Sequence, residues 1–113
     1  HFAGKFPLWL APVQVKLLTV TEKYSDYALK IAQQFEEAGL RAEADIRNEK
    51  IGYKLREARN ERNPYICSIG EKEVEGDYLT VRNNKTGEQF EIKPDELQEK
   101  LFKRIEPYLE KEI

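Results

Sequence analysis

Residues Val13 to Val20 read VQVKLLTV, a near-continuous run of apolar and β-branched side chains. A run of this length without strict alternation predicts a strand buried on both faces, and such strands belong in sheets covered by helices. The next segment agrees. Ala28, Ile31, Ala32 and Phe35 recur at i, i+3, i+4 and i+7, the apolar stripe of an amphipathic helix. Thr21 or Ser25 can cap its start, and Gly39 supplies a left-handed residue at its end. Leu40 to Asp45 follows as a short strand. Strand, helix and strand in this order imply parallel pairing through a right-handed crossover.

Beyond that unit lies Arg47 to Ala58, RNEKIGYKLREA, which sets Arg47, Lys50, Lys54, Arg56 and the amide of Asn48 at a strand-to-helix turn. Ile51, Leu55 and Ala58 share one helical face, so a second helix is expected over 51–62, stopped by Pro64. Tyr65 to Ile69 reads as a third buried strand ending at Gly70. Tyr78 to Arg82 and Gln89 to Ile92 then flank Asn83-Asn84-Lys85-Thr86-Gly87, a turn-rich connection between two short strands. A last helix begins near Asp95 with Leu97, Leu101, Ile105 and Tyr108 or Leu109 inward, and Pro107 is expected to kink or shorten it. The order β-α-β-α-β-β-β-α predicts an α/β three-layer domain: a five-stranded mixed, mostly parallel sheet with three main helices.

Composition narrows the function. At 113 residues the chain is one domain, long enough to bury a core without staples. Its charged fraction of 35% and hydrophobic fraction of 40% are those of a globular domain. The formal net charge is -2, so any contact with a polyanion must be made by a local patch. Cys67, the lone cysteine, sits in the apolar run YICSIG and reads as core filler. One histidine, His1, and one cysteine cannot build a zinc tetrahedron. The absence of methionine, even at position 1, gives the expectation that this is a piece of a longer protein. FPLWLAPVQV is too short and too interrupted by Pro7 and Pro12 to span a membrane, so residues 1–12 are expected to be a linker from an upstream domain and residues 13–113 the domain itself.

Open parallel sheets bind ligands beyond the carboxyl ends of their strands. The loop 45–50 offers Arg47, Asn48 and Lys50 there, the turn 70–77 offers Glu71, Lys72, Glu73 and Glu75, and Arg82 lies on a neighbouring strand. An arginine, a carboxylate and an amide suit hydrogen-bond readout of base edges. Each also has a plain structural reading. The charges from Lys54 to Arg62 fit a solvated helix face, Glu73 a surface carboxylate, Arg82 a cross-strand partner, and Gly52 close helix–sheet packing. Tyr53 and Tyr65 fit the core edge as well as a stacking platform. No phosphate-binding glycine loop and no Ser–His or Cys–His pair is present, so the residues read as a binding module rather than an enzyme.

Three segments carry a family likeness. Phe6 to Val15, Arg47 to Glu57, and Gly70-Glu71-Lys72-Glu73-Val74-Glu75 together resemble the C-terminal anticodon-binding domain of the threonyl-tRNA synthetases, over essentially the whole chain. Prolyl-, histidyl- and glycyl-tRNA synthetases share a looser version, and an accessory or protein-interaction domain of the same fold is the alternative. A small nucleotide-binding enzyme at the sheet's carboxyl edge is a third reading, weakened by the missing phosphate loop. The resemblance implies a cytoplasmic, homodimeric class II ligase that charges tRNA(Thr) with threonine. ATP, magnesium and zinc would be held by its upstream catalytic domain, and this domain would bind the anticodon stem-loop without catalytic activity or cofactor of its own. It further implies that Asn48 faces the anticodon bases, that Lys50 lies nearer the phosphates, and that Glu73 and Arg82 read the guanine and its neighbour. Arg47 and Arg56 join this set as phosphate-facing candidates. After Arg82 the family pattern is more basic than Asn83-Asn84, which weakens the expectation of further phosphate contacts there.

Overall fold

A computed structural model describes the backbone of residues 13–112 and the side chains of residues 13–103. The run that opens the domain forms β1 (Val15–Thr19), buried along its whole length, and it lies inside a five-stranded sheet. β2 (Ala42–Asp45) and β3 (Tyr65–Ile69) flank it in parallel, with Val15 opposite both Ala42 and Tyr65. β4 (Leu79–Asn83) pairs antiparallel with β3, and β5 (Gln89–Ile92) antiparallel with β4. The order is therefore β2-β1-β3-β4-β5. The sheet is mixed and mostly parallel, as expected: β1, β2, β3 and β5 run in one direction, and β4 alone among the described strands runs against them, joined to β5 by a short connection that imposes antiparallel pairing.

Helices cover both faces. α1 (Ser25–Glu37) follows a 3-10 turn at Glu22–Tyr24 that Thr21 caps, its Oγ1 accepting from Lys23 N–H at 3.3 Å. Gly39 adopts φ +97°, and Leu40 N–H reaches back to the Phe35 carbonyl at 2.9 Å, closing the helix as the sequence predicts. α1 and α4 (Pro94–Glu112) pack Phe35, Ile31, Leu97 and Leu101 onto Leu17, Cys67 and Val81 of one sheet face. α2 (Ile51–Asn60) covers the other face, where Ala58, Ile51 and Leu55 meet Leu18 and Ile66. Burial pushes the Cys67 thiol far above its ordinary pKa, so it is an inert core group.

Three boundaries differ from the sequence reading. α2 ends at Asn60 rather than Arg62, because Arg62 turns left-handed at φ 62° and the Asn63 side chain takes the Ala58 carbonyl at 3.1 Å. The segment 71–76, read as a turn, is a short helix, α3 (Glu71–Gly76), in which Glu73 supplies the cap. α4 continues past Pro107. The expected linker 1–12 and the inward side chains of Ile105, Tyr108 and Leu109 lie outside the described residues.

Candidate functional site

Period-2 alternation places Lys16, Leu18, Asp45, Ile66, Ser68, Thr80 and Arg82 on the α2 side of the sheet. The centre of that side is a lysine. Lys54, which spacing had assigned to a solvated face, is 0% exposed. Its Nζ donates to the Thr19 carbonyl at 3.0 Å, to Thr19 Oγ1 at 3.0 Å and to the Asp45 carbonyl at 3.2 Å. A lysine ammonium carries three donors, so all are satisfied. Burial lowers its pKa, and the nearby Asp45 charge opposes that shift. Lys54 thus ties the ends of β1 and β2 to α2, directly beneath the loop 46–50.

The outer flank of that loop is closed by a second network. The Asp45 carboxylate accepts from Arg47 at the backbone N–H, Nε and Nη2, at 3.2, 2.9 and 2.8 Å. Arg47 also pairs with Glu57 and lies over the Tyr53 ring at 5.8 Å, and the neighbouring Glu57 carboxylate raises the Tyr53 hydroxyl above its ordinary pKa. The hydrogen bonds from Arg47 hold the Asp45 carboxyl below the usual carboxylate range, against the upward pull of burial. A carboxyl whose folded pKa is lowered stabilises the fold above its unfolded pKa and loses that contribution as pH falls through the folded value. Asp45→Asn should therefore flatten the acid limb of stability below about pH 5. Urea midpoints of both proteins between pH 7 and pH 3 read this directly, and parallel curves would refute it.

The sequence-predicted site residues divide into three groups. Asn48 and Lys50 are exposed in the loop, and among the described residues neither side chain is bonded to the fold. Arg47 is exposed by area, but Asp45 and Glu57 pin its guanidinium against the surface of the fold. Glu73 and Arg82 both lie on the α2 side of the sheet at β4, Glu73 against Thr80 near the carboxyl end of β3 and Arg82 opposite Ile66 toward its amino end. Glu73 Oε1 accepts from Gly70 N–H at 2.6 Å, and its Oε2 accepts from Thr80 Oγ1 at 2.9 Å. The carboxylate is thus a helix cap and a strand bridge, with spare lone pairs on both oxygens. Arg82 follows Thr80 by two residues on the same face, roughly 7 Å along the strand. It pairs in register with Ile66 and Gln89, and its Nε is buried without a hydrogen-bond partner.

Arg56 lies elsewhere. With Gly52, Leu55, Arg59, Asn60 and Asn84 it lines a groove of about 440 Å³ between α2 and the end of β4. Arg59 and Asn84 were not singled out from the sequence as ligand residues. The signal was available: Gly52, Leu55, Arg56 and Arg59 recur at helical spacing on one flank. Gly52 is not a packing glycine, since a Cβ there would meet nothing within 4 Å. Tyr65 is buried in the core, and Tyr53 is 46% exposed. Among the described residues no group of three or more His, Cys, Asp or Glu side chains could hold a metal ion, and no helix is long and apolar enough to cross a membrane.

Comparison with known proteins gives this geometry its context. Residues 11–104 match the family model described as the anticodon binding domain. The threonine–tRNA ligase of Clostridium botulinum (strain Eklund 17B / Type B) is 49% identical over 104 residues, covering 92% of this chain and 16% of the ligase. That of Acetivibrio thermocellus is 53% identical over 88 residues, 78% of this chain and 14% of the ligase. The chain thus spans about a sixth of the length of such curated relatives. The solved RNA binding domain of threonyl-tRNA synthetase from Cryptosporidium parvum Iowa II aligns with a TM-score of 0.87 at 30% identity, covering 92% of this chain and 26% of that one. A matching family model over most of the chain, the same fold and these relatives agree: the chain belongs to the anticodon-binding-domain family, in the form carried by threonine–tRNA ligases.

Proposed function

We propose that this domain binds the anticodon stem-loop of tRNA(Thr) and reads its bases on the α2 side of the sheet. The observation that carries the reading is Arg82: a half-buried guanidinium on the α2 side of β4 whose buried Nε has no hydrogen-bond partner among the described residues. A buried donor without a partner is destabilising, so this guanidinium is not consumed by the fold, and its terminal nitrogens can donate to a base edge offering two acceptors. Glu73, beside it through Thr80, can still accept from a base amino or ring N–H. Asn48 approaches from the exposed loop and Lys50 meets phosphate. Arg47 acts indirectly, by fixing the loop's shape. RNA loops are read in this way, with unstacked bases recognised on their Watson–Crick edges.

In this reading the ligation of threonine to tRNA(Thr) belongs to a longer, cytoplasmic and homodimeric enzyme. Zinc, magnesium and ATP are assigned in this reading to the catalytic domain of that enzyme, as the family resemblance implies. The test is a titration of the protein with a hairpin carrying a threonine anticodon and with base-substituted hairpins. Arg82→Ala should weaken the cognate hairpin by about 1–3 kcal/mol and erase discrimination at one position. Equal losses on every hairpin would defeat the base-reading role. Arg82 is the cleaner probe, because Glu73→Ala also removes the cap of α3.

A further inference from the structure

We infer that the groove between α2 and the end of β4 seats the phosphodiester backbone of the bound RNA strand, with Arg59 as its principal cation. This deepens the reading above and rests on it. The two flanks of α2 carry opposite electrostatic fates. On the β2 side, the carboxylates Glu57 and Glu61 are paired with Arg47 and Lys16. On the groove side stand Arg56 and Arg59, and neither has an ion-pair partner among the described residues. Among the described residues none that lines the groove is acidic. A chain of net charge -2 therefore presents a groove whose charged lining residues, Arg56 and Arg59, are both cationic, and whose Asn84 follows Arg82 by two residues.

Two further features fit phosphate rather than a base or an apolar side chain. The groove reaches the first turn of α2, where Lys50 gives no side-chain cap and no acidic residue is present. The N–H groups of such a turn, together with the helix dipole, attract anions. Gly52 leaves that backbone bare, so a phosphate can approach it closely. At the other end, Asn84 Nδ2 donates to the Arg59 carbonyl at 3.3 Å, which holds the strand end against the helix and leaves the Arg59 guanidinium for ligand. The asparagine that weakened the expectation of basic contacts after Arg82 thus borders a cation supplied from α2.

The inference makes Arg59 a sequence-independent contact, in contrast to Arg82. Titration of the cognate and the base-substituted hairpins at several salt concentrations tests it with Arg59→Ala and Arg59→Glu. Arg59→Ala should weaken all hairpins alike, by about 3- to 10-fold at low salt, and reduce the slope of log K against log[salt] by about 0.7–0.9. Arg59→Glu should weaken them further. Unchanged affinity and slope, with wild-type binding intact, would overturn the groove assignment and leave base reading standing. A loss confined to the cognate hairpin would also overturn it, since the groove would then read a base. Wild-type protein that binds no hairpin at low salt would remove both readings together.

Discussion

Lys54→Ala is expected to lower the unfolding free energy by about 3–5 kcal/mol, a large share of what a domain of this size possesses. The substitution withdraws three hydrogen bonds at once and leaves the Thr19 and Asp45 carbonyls inside the fold without their ammonium partner. It also empties a fully buried volume between α2 and the sheet. Lys54→Met refills most of that volume and should recover part of the loss, leaving about 1–3 kcal/mol for the unpaired carbonyls. Urea denaturation of the two variants separates the terms. A loss below about 1 kcal/mol for Lys54→Ala would show that water replaces the ammonium and that the network adds little. Because the same ammonium anchors the ends of β1 and β2 under Asn48 and Lys50, the alanine variant should also bind cognate hairpin more weakly while still folded.

Phe35→Ala should be as damaging, about 3–5 kcal/mol, by a different route. Phe35 is 0% exposed on α1, in the cluster with Leu17, Cys67 and Leu101, on the sheet face away from α2. Its loss opens a cavity in an apolar core without touching a polar network. At temperatures where the variant remains folded, the ratio of cognate to noncognate binding should be that of the wild type. Thermal unfolding followed by hairpin titration checks both halves. A changed ratio would mean that the two faces of the sheet are mechanically coupled, and the division of the domain into a packing face and a reading face would fall.

The contrast between these two residues explains what the sequence could show. Phe35 was visible because its neighbours Ala28, Ile31 and Ala32 repeat at helical spacing, and the helix is long enough for the period to declare itself. The same applies to the buried run of β1 and to the inner face of α2. Lys54 was invisible because its partners are carbonyls at the ends of two strands, which no local pattern encodes. Its charge argued for solvent, and only the closed unit β1–α1–β2 provides the acceptors. α3 was hidden for another reason. Six residues contain less than two turns, and in EKEVEG Val74 is the one apolar side chain, so no apolar period exists to read. At the site, the loop positions Asn48 and Lys50 were legible from where a parallel sheet ends. The commitment of Arg47 to Asp45 and Glu57 was not, since a guanidinium's partner is settled by tertiary distance. Family resemblance picked out Glu73 and Arg82, and the structure adds that they share a sheet face through Thr80.

The interior place of β1 also bears on how the chain reaches this arrangement. Cys67 meets Val81 with little beyond α3 between them, so β3 and β4 can pair early and β5 can extend them. Val15 must find Tyr65 across both crossovers, a closure that carries a larger entropic penalty. A chain leaving the ribosome holds β1 and β2 with one side of β1 unpaired until Ile69 has emerged. During that interval the exposed backbone edge is the molecule's most adhesive surface. Lys16, the second residue of β1, places a charge beside that edge before β3 arrives.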